Sequence, residues 1–115
     1  MKYLIGFKKL LPLIMLLTVC SAHAGTVTGG TISLVFSAQE DVYFVYLNQN
    51  ITDVAACGSA NANRFSIKPS TPGGKAMIAT VLFASAQGKA ITVQGTGDCG
   101  IWGDTESAKF LWTNT

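Results

Sequence analysis

The sequence predicts a small, mainly β exported domain with one helix, an α+β arrangement in the order β-β-β-α-β-β closed by a single disulfide. Three observations predict it. Five short segments are rich in β-branched and aromatic residues and alternate in polarity. One stretch alone carries helix start and stop signals. Two cysteines remain once an amino-terminal leader is set aside.

The leader comes first. Lys2, Lys8 and Lys9 make a positive start, and LLPLIMLLTV (Leu10 to Val19) is an apolar run too short to span a bilayer. Ala22-His23-Ala24 places small residues where a signal peptidase reads them, so cleavage is expected after Ala24 and the product is expected to be secreted or periplasmic. A lipoprotein reading on Cys20 is disfavoured because Val19, before it, is branched. Residues 25–115 then form one domain without a membrane span. They carry five cationic and six anionic side chains, so the basic balance belongs to the leader and no nucleic-acid footprint is expected.

The elements follow in order. Gly29-Gly30 is expected to open the first strand, TISLVFSA, with Ile32, Leu34 and Phe36 on one face. Gln39-Glu40-Asp41 is a hairpin-length break. The second strand, DVYFVYL, is apolar on both faces, with Val42, Phe44 and Tyr46 opposite Tyr43, Val45 and Leu47, so both sides are expected to be covered. Asn48 to Asn63 reads as loop. NRFSIKP is a short third strand with Phe65 and Ile67 inward and Arg64 and Lys68 outward, ended by Pro69.

The helix is expected within PSTPGGKAMIATVLFASAQGK, capped by Ser70 or Thr71, with Pro72 in its first turn and Gly88 at its end. Met77, Ile78, Val81, Leu82 and Ser85 form one stripe. Ala79 and Phe83 lie away from it, on a back with few polar residues. Either Phe83 folds over a neighbouring loop, or Ala79 and Phe83 meet the same helix of another copy. AITVQGTG is the fourth strand. SAKFLWTNT is the fifth, with Ala108, Phe110 and Trp112 read as a core face.

Two cysteines in an exported chain read as a bridge, Cys57–Cys99, closing a loop of about 43 residues worth roughly 4 kcal/mol in chain entropy. Two buried free thiols are the alternative. Five strands with a helix between the third and fourth match the oligonucleotide/oligosaccharide-binding (OB) fold, a small Greek-key barrel.

At this point a resemblance enters. The segments CGSANANRF, SAQGKAITVQGTG and GDCGIW, about half of residues 25–115, resemble in element type and cysteine placement the B subunits of bacterial toxins, the subtilase-type cytotoxin among them. That resemblance implies a ring of five copies with helices lining a pore and barrels reading glycans outside. Gly95, Thr96, Gly97, Cys99, Trp102, Gly103, Asp104 and Glu106 are also similar to a G-T-G-x-C…W-G-D-x-E pattern in short exported bacterial proteins, which carries no known function.

The residues themselves limit the chemistry. The only histidine is His23, in the leader, and a disulfide removes both thiols, so Ser-His and Cys-His machinery is absent and no enzyme is expected. A hydrolase using Asp98, Asp104 and Glu106 is the weaker alternative. Zinc lacks ligands, and the acid spacing does not fit an EF-hand calcium loop, so neither metal nor cofactor is expected. Trp102, between glycines in a polar loop, is a candidate sugar platform, with Asp104, Glu106 and Asn48 supplying polar contacts and Asn50, Asn61 and Asn63 further amides. The competing reading makes Trp102 core at one end of the barrel. The expected function is non-catalytic binding, as a homo-oligomer recognising a surface glycan. Its rival is a structural or inhibitory envelope protein that contacts other proteins and has no sugar ligand.

Overall fold

The computed structural model describes residues 23–114, and the expected leader lies outside them up to residue 22. The chain is mainly β with one helix. Six strands form two three-stranded antiparallel sheets: β1 (Thr26–Gly30), β5 (Ile91–Gly95) and β6 (Ala108–Thr113) make one, in the order β1-β5-β6. β2 (Ile32–Ala38), β3 (Val42–Leu47) and β4 (Arg64–Ile67) make the other, in sequence order. A 3₁₀ turn (Ala56–Asn61) precedes β4, and helix α1 (Pro72–Gln87) separates β4 from β5. The sheets share a seam, where Ser66 bridges Ser107 in parallel and the Ser66 N–H donates to the Glu106 carbonyl at 3.0 Å.

The sixth strand corrects the expected count of five. TVTGG pairs with β5, but it is short and ends in two glycines, so it carries no alternation to read. Gly29 sits at φ +63°, where a Cβ would be strained, and β1 is irregular between Val27 and Gly30. Only Thr31 then separates β1 from β2 in the other sheet.

Bulges also revise which side chains face inward. In β2, Ile32 pairs with Leu47 and Leu34 with Tyr46, so one extra residue interrupts the pleat. Ile32 packs on the core, whereas Leu34 and Phe36 turn outward and are about half exposed. In β6, Gly95 pairs with Ala108 but Gln94 with Phe110, leaving Lys109 as the extra residue. Ala108 is buried, yet Phe110 and Trp112 are 41% and 46% exposed, against the expected core face. Leu111, opposite Val93, packs inward instead. Side chains alternate with period two, so a single inserted residue reverses every position beyond it.

The core is aliphatic with two aromatic rings. It joins Val27, Val45, Leu47, Phe65, Ile67, Ile91 and Val93 to Tyr43, Val81 and Ala84. β3 is covered on both faces, as its pattern requires. The Thr71 hydroxyl caps α1 by accepting from the Gly74 N–H at 2.9 Å, Pro72 is its first residue, and Gly88 ends it at φ +64°. The buried positions of α1 are Gly74, Val81 and Ala84, with Met77 and Ile78 beside them. Leu82 and Ser85, expected on the packed stripe, are exposed. A helix apolar all round offers several equivalent stripes, and its partner, chiefly β6, selects one.

Candidate functional site

The outer face of the β2-β3-β4 sheet gathers Trp102 and Asp104 of the expected site. Phe36 of β2 pairs with Phe44 of β3, with ring centroids 6.0 Å apart. Trp102 stands edge-on to the same Phe44 ring at 5.6 Å and 89°. Trp102 is neither core nor free platform. It is 37% exposed, with its ring anchored on Phe44. A tight turn presents it: Trp102 and Thr105 bridge, and the Thr105 N–H donates to the Trp102 carbonyl at 3.0 Å across Gly103-Asp104.

Arg64, expected to point outward, organises this face. Its Nε donates to Thr105 Oγ1 (2.7 Å), Nη1 to Tyr46 Oη (2.8 Å) and Nη2 to Asp104 Oδ1 (2.9 Å). Its guanidinium lies 4.6 Å from the Phe44 centroid and 5.6 Å from that of Tyr46. An arginine with a planar fork can serve three acceptors and two rings together, so it is pre-organised rather than mobile. Asp104 is thereby paired, yet its side chain remains more than half exposed. Asn61 donates to the Asp104 carbonyl at 3.3 Å. Arg64, Tyr46 and Phe36 are the site residues that sequence reasoning missed. The alternation of Arg64 with buried Phe65 was visible, but the aromatic neighbours that hold it come from other strands.

Four expected ligand residues, Asn48, Asn50, Asn63 and Glu106, fall elsewhere. Asn48 lines a separate polar groove of about 280 Å³ with Ser33, Gln49, Asn50 and Asn63. Glu106 is fully buried, so its expected contact with a ligand is corrected to an internal role. Its Oε1 accepts from the Ala55 N–H at 2.6 Å, and its Oε2 accepts from the Gly25 N–H at 2.7 Å and the Gly97 N–H at 3.2 Å. Buried carboxylates persist where such donors converge. Gly95 makes the space, because a Cβ there would overlap the carboxylate.

The loop around Glu106 is stapled as expected. Cys57 and Cys99 form the disulfide, with Cα atoms 6.2 Å apart. Asp98 turns its carboxylate to Thr96 Oγ1 (2.8 Å) and to the Gly100 N–H (3.2 Å). Asp98, Asp104 and Glu106 thus have three separate occupations, and among the described residues no three His, Cys, Asp or Glu side chains converge as a metal site would require.

A second aromatic face lies on α1 and β6. Ala79, Thr80 and Phe83 of α1 and Leu111, Trp112 and Thr113 of β6 line an open groove of about 440 Å³. Phe110 stacks on Trp112 at 5.8 Å and 24°, and Lys89 Nζ lies 5.8 Å from the Phe83 ring. Phe83 is 44% exposed. Among the described residues no helix is long and apolar enough to cross a membrane. The chain matches no protein-family model, no curated protein and no solved structure.

Proposed function

We propose that this is an exported, non-catalytic binding protein that works by contact, self-associating through the α1/β6 face and recognising a glycan at the Trp102 face. The observation that carries the reading is the pair of separate exposed aromatic surfaces. A monomer of this size rarely leaves two such surfaces open without use. Trp102 and Phe36 offer apolar ring faces, and the exposed Asp104 carboxylate with the neighbouring Asn61 amide supplies polar partners for hydroxyl groups. Phe83, Phe110 and Trp112 lie on different elements from Leu34, Phe36 and Trp102. The two surfaces can therefore be occupied together, a second copy at α1/β6 and a glycan at Trp102.

The barrel reading is part of the proposal. β1 and β2 are separated by one residue and pair in different sheets, as two halves of one bent strand do. Merged, they leave five strands with the helix between the third and fourth. The parallel bridge from Ser66 to Ser107 joins the two sheets where an OB barrel closes.

Two measurements test the function. Light scattering on the processed protein is expected to give a multiple of the chain mass, reduced by Phe83→Ser with Trp112→Ser. A glycan array is expected to show binding that Trp102→Ala abolishes. A strict monomer refutes the first part, and binding indifferent to Trp102→Ala refutes the second. The rival, an envelope protein that contacts other proteins, is favoured by the exposed apolar Leu34 and Phe36 of β2, Phe36 sharing with Trp102 a contact on the Phe44 ring. It predicts an empty array together with a protein partner lost in Phe36→Ser.

A further inference from the structure

Glu106 is a buried carboxylate whose three donors are neutral backbone amides. A carboxylate removed from water is costly unless a cation or strong donors answer it. One of the three donors is unlike the others. Gly25 is the residue immediately after the expected cleavage point, and its nitrogen is 2.7 Å from Oε2 in a buried contact. We propose that the Glu106 carboxylate is the receptor for the α-ammonium group created on Gly25 when residues 1–24 are removed, so that processing converts a buried carboxylate–amide contact into a buried ion pair.

This inference rests on the export reading, and specifically on cleavage between Ala24 and Gly25. The chemistry is simple. An endopeptidase adds one water across that bond, the Ala24 carbonyl carbon takes the hydroxyl, and the Gly25 nitrogen takes a proton. At neutral pH the new amine binds a further proton, because free α-amino groups ionise near 7.7–8.0. Cleavage on the exported chain precedes folding, and folding then seats the ammonium.

The surroundings of Gly25 fit a terminus seated in this way. Its carbonyl accepts from the Gly95 N–H at 2.7 Å, and Thr26 exchanges two hydrogen bonds of 2.9 Å with Thr52. The chain is therefore anchored from Gly25 onward, so the nitrogen cannot drift. Upstream, Ala24 is half-buried and His23 exposed. A Cβ on Gly25 would collide with Ile51 and with Glu106 Oε1, so only glycine brings its nitrogen this close. Gly97 and Ala55 hold the carboxylate from the other sides, leaving Oε2 aimed at Gly25. Glu106 would thus tie the new terminus to the loops that carry Cys57 and Cys99.

The test uses the full chain, exported and processed by a bacterial host. Intact mass identifies the first residue, and Gly25 is expected. The folded protein is then acylated near pH 7.5 with acetic anhydride, and modification is mapped by peptide mass. A free α-amine reacts ahead of lysines because fewer lysines are deprotonated at that pH. Here the order is expected to invert: exposed Lys68 and Lys109 react while the Gly25 amine is protected at least tenfold, and Glu106→Gln removes that protection. A second variant inserts one alanine between Ala24 and Gly25, leaving a neutral amide at Gly25. It is expected to melt about 4–8 °C lower than the parent, and it keeps the proposal testable if Glu106→Gln does not fold. An amine as reactive as in the unfolded chain, or an insertion without effect on Tm, overturns the ion pair. A first residue other than Gly25 overturns the cleavage boundary and the pairing with it, and intact mass separates that outcome from the others.

Discussion

Replacing Glu106 by alanine is expected to be the most damaging single change in the carboxyl-terminal loop. The substitution leaves the Gly25 nitrogen and the amides of Ala55 and Gly97 without an acceptor in a buried space. A hydrogen bond to a charged group contributes about 1.5–3 kcal/mol, and the contact at 3.2 Å belongs at the bottom of that range or below it. The two short bonds alone imply about 3–5 kcal/mol, allowing water to reach part of the vacated volume. A domain of this size holds about 5–10 kcal/mol in all, so the variant should be marginal. The assay is urea unfolding of oxidised, processed protein followed by far-ultraviolet circular dichroism, with m compared between parent and variant. Asp104→Ala is the control, because its pair with Arg64 is surface-exposed and should cost about 1 kcal/mol or less. A loss below about 1 kcal/mol for Glu106→Ala, or one no larger than the control's, would refute the reasoning that the carboxylate organises this loop.

Other outcomes follow from the same structure. Reducing Cys57–Cys99 should cost up to about 4 kcal/mol, and less than additively with Glu106→Ala because both tie the same loops; urea curves with and without reductant give the cycle. Gly95→Ala should destabilise by more than 2 kcal/mol, since its methyl would occupy the carboxylate's place; thermal melts read this directly. Tyr43 Oη is buried without a hydrogen-bond partner among the described residues, so Tyr43→Phe should be neutral or stabilising by up to about 1 kcal/mol. Burial holds the Tyr43 hydroxyl above the ordinary tyrosine range. The folded state therefore favours the neutral form, and its contribution is intact below about pH 10 and lost as pH rises through the raised value. Tm measured from pH 9 to 11 should fall more steeply for the parent than for Tyr43→Phe.

Local signals carried well. The caps of α1 at Thr71 and Gly88, the doubly covered β3 and the Cys57–Cys99 pair were all legible, because each depends on residues near in sequence or on a count. The failures are non-local. Nothing in SAKFLWT marks Lys109 as the extra residue, since a bulge is defined only against the partner strand. TVTGG becomes a strand because β5 offers it an edge. Glu106 looked like part of an acidic, solvated turn, and its donors lie 81, 51 and 9 residues away. Trp102 stands out in the sequence between its glycines, but the ring it leans on and the arginine beside that ring belong to β3 and β4.

The bulge at Lys109 makes the outer aromatic surface of β6 a matter of spacing rather than of residue choice. Substituting neighbours can alter the chemistry of that surface but cannot relocate it. Deleting one residue would exchange inside for outside, directing two large rings at an interior filled by small aliphatic groups and leaving Leu111 in water. Such a surface tolerates drift in composition and is intolerant of changes in length, and the emission of Trp112 would report the exchange.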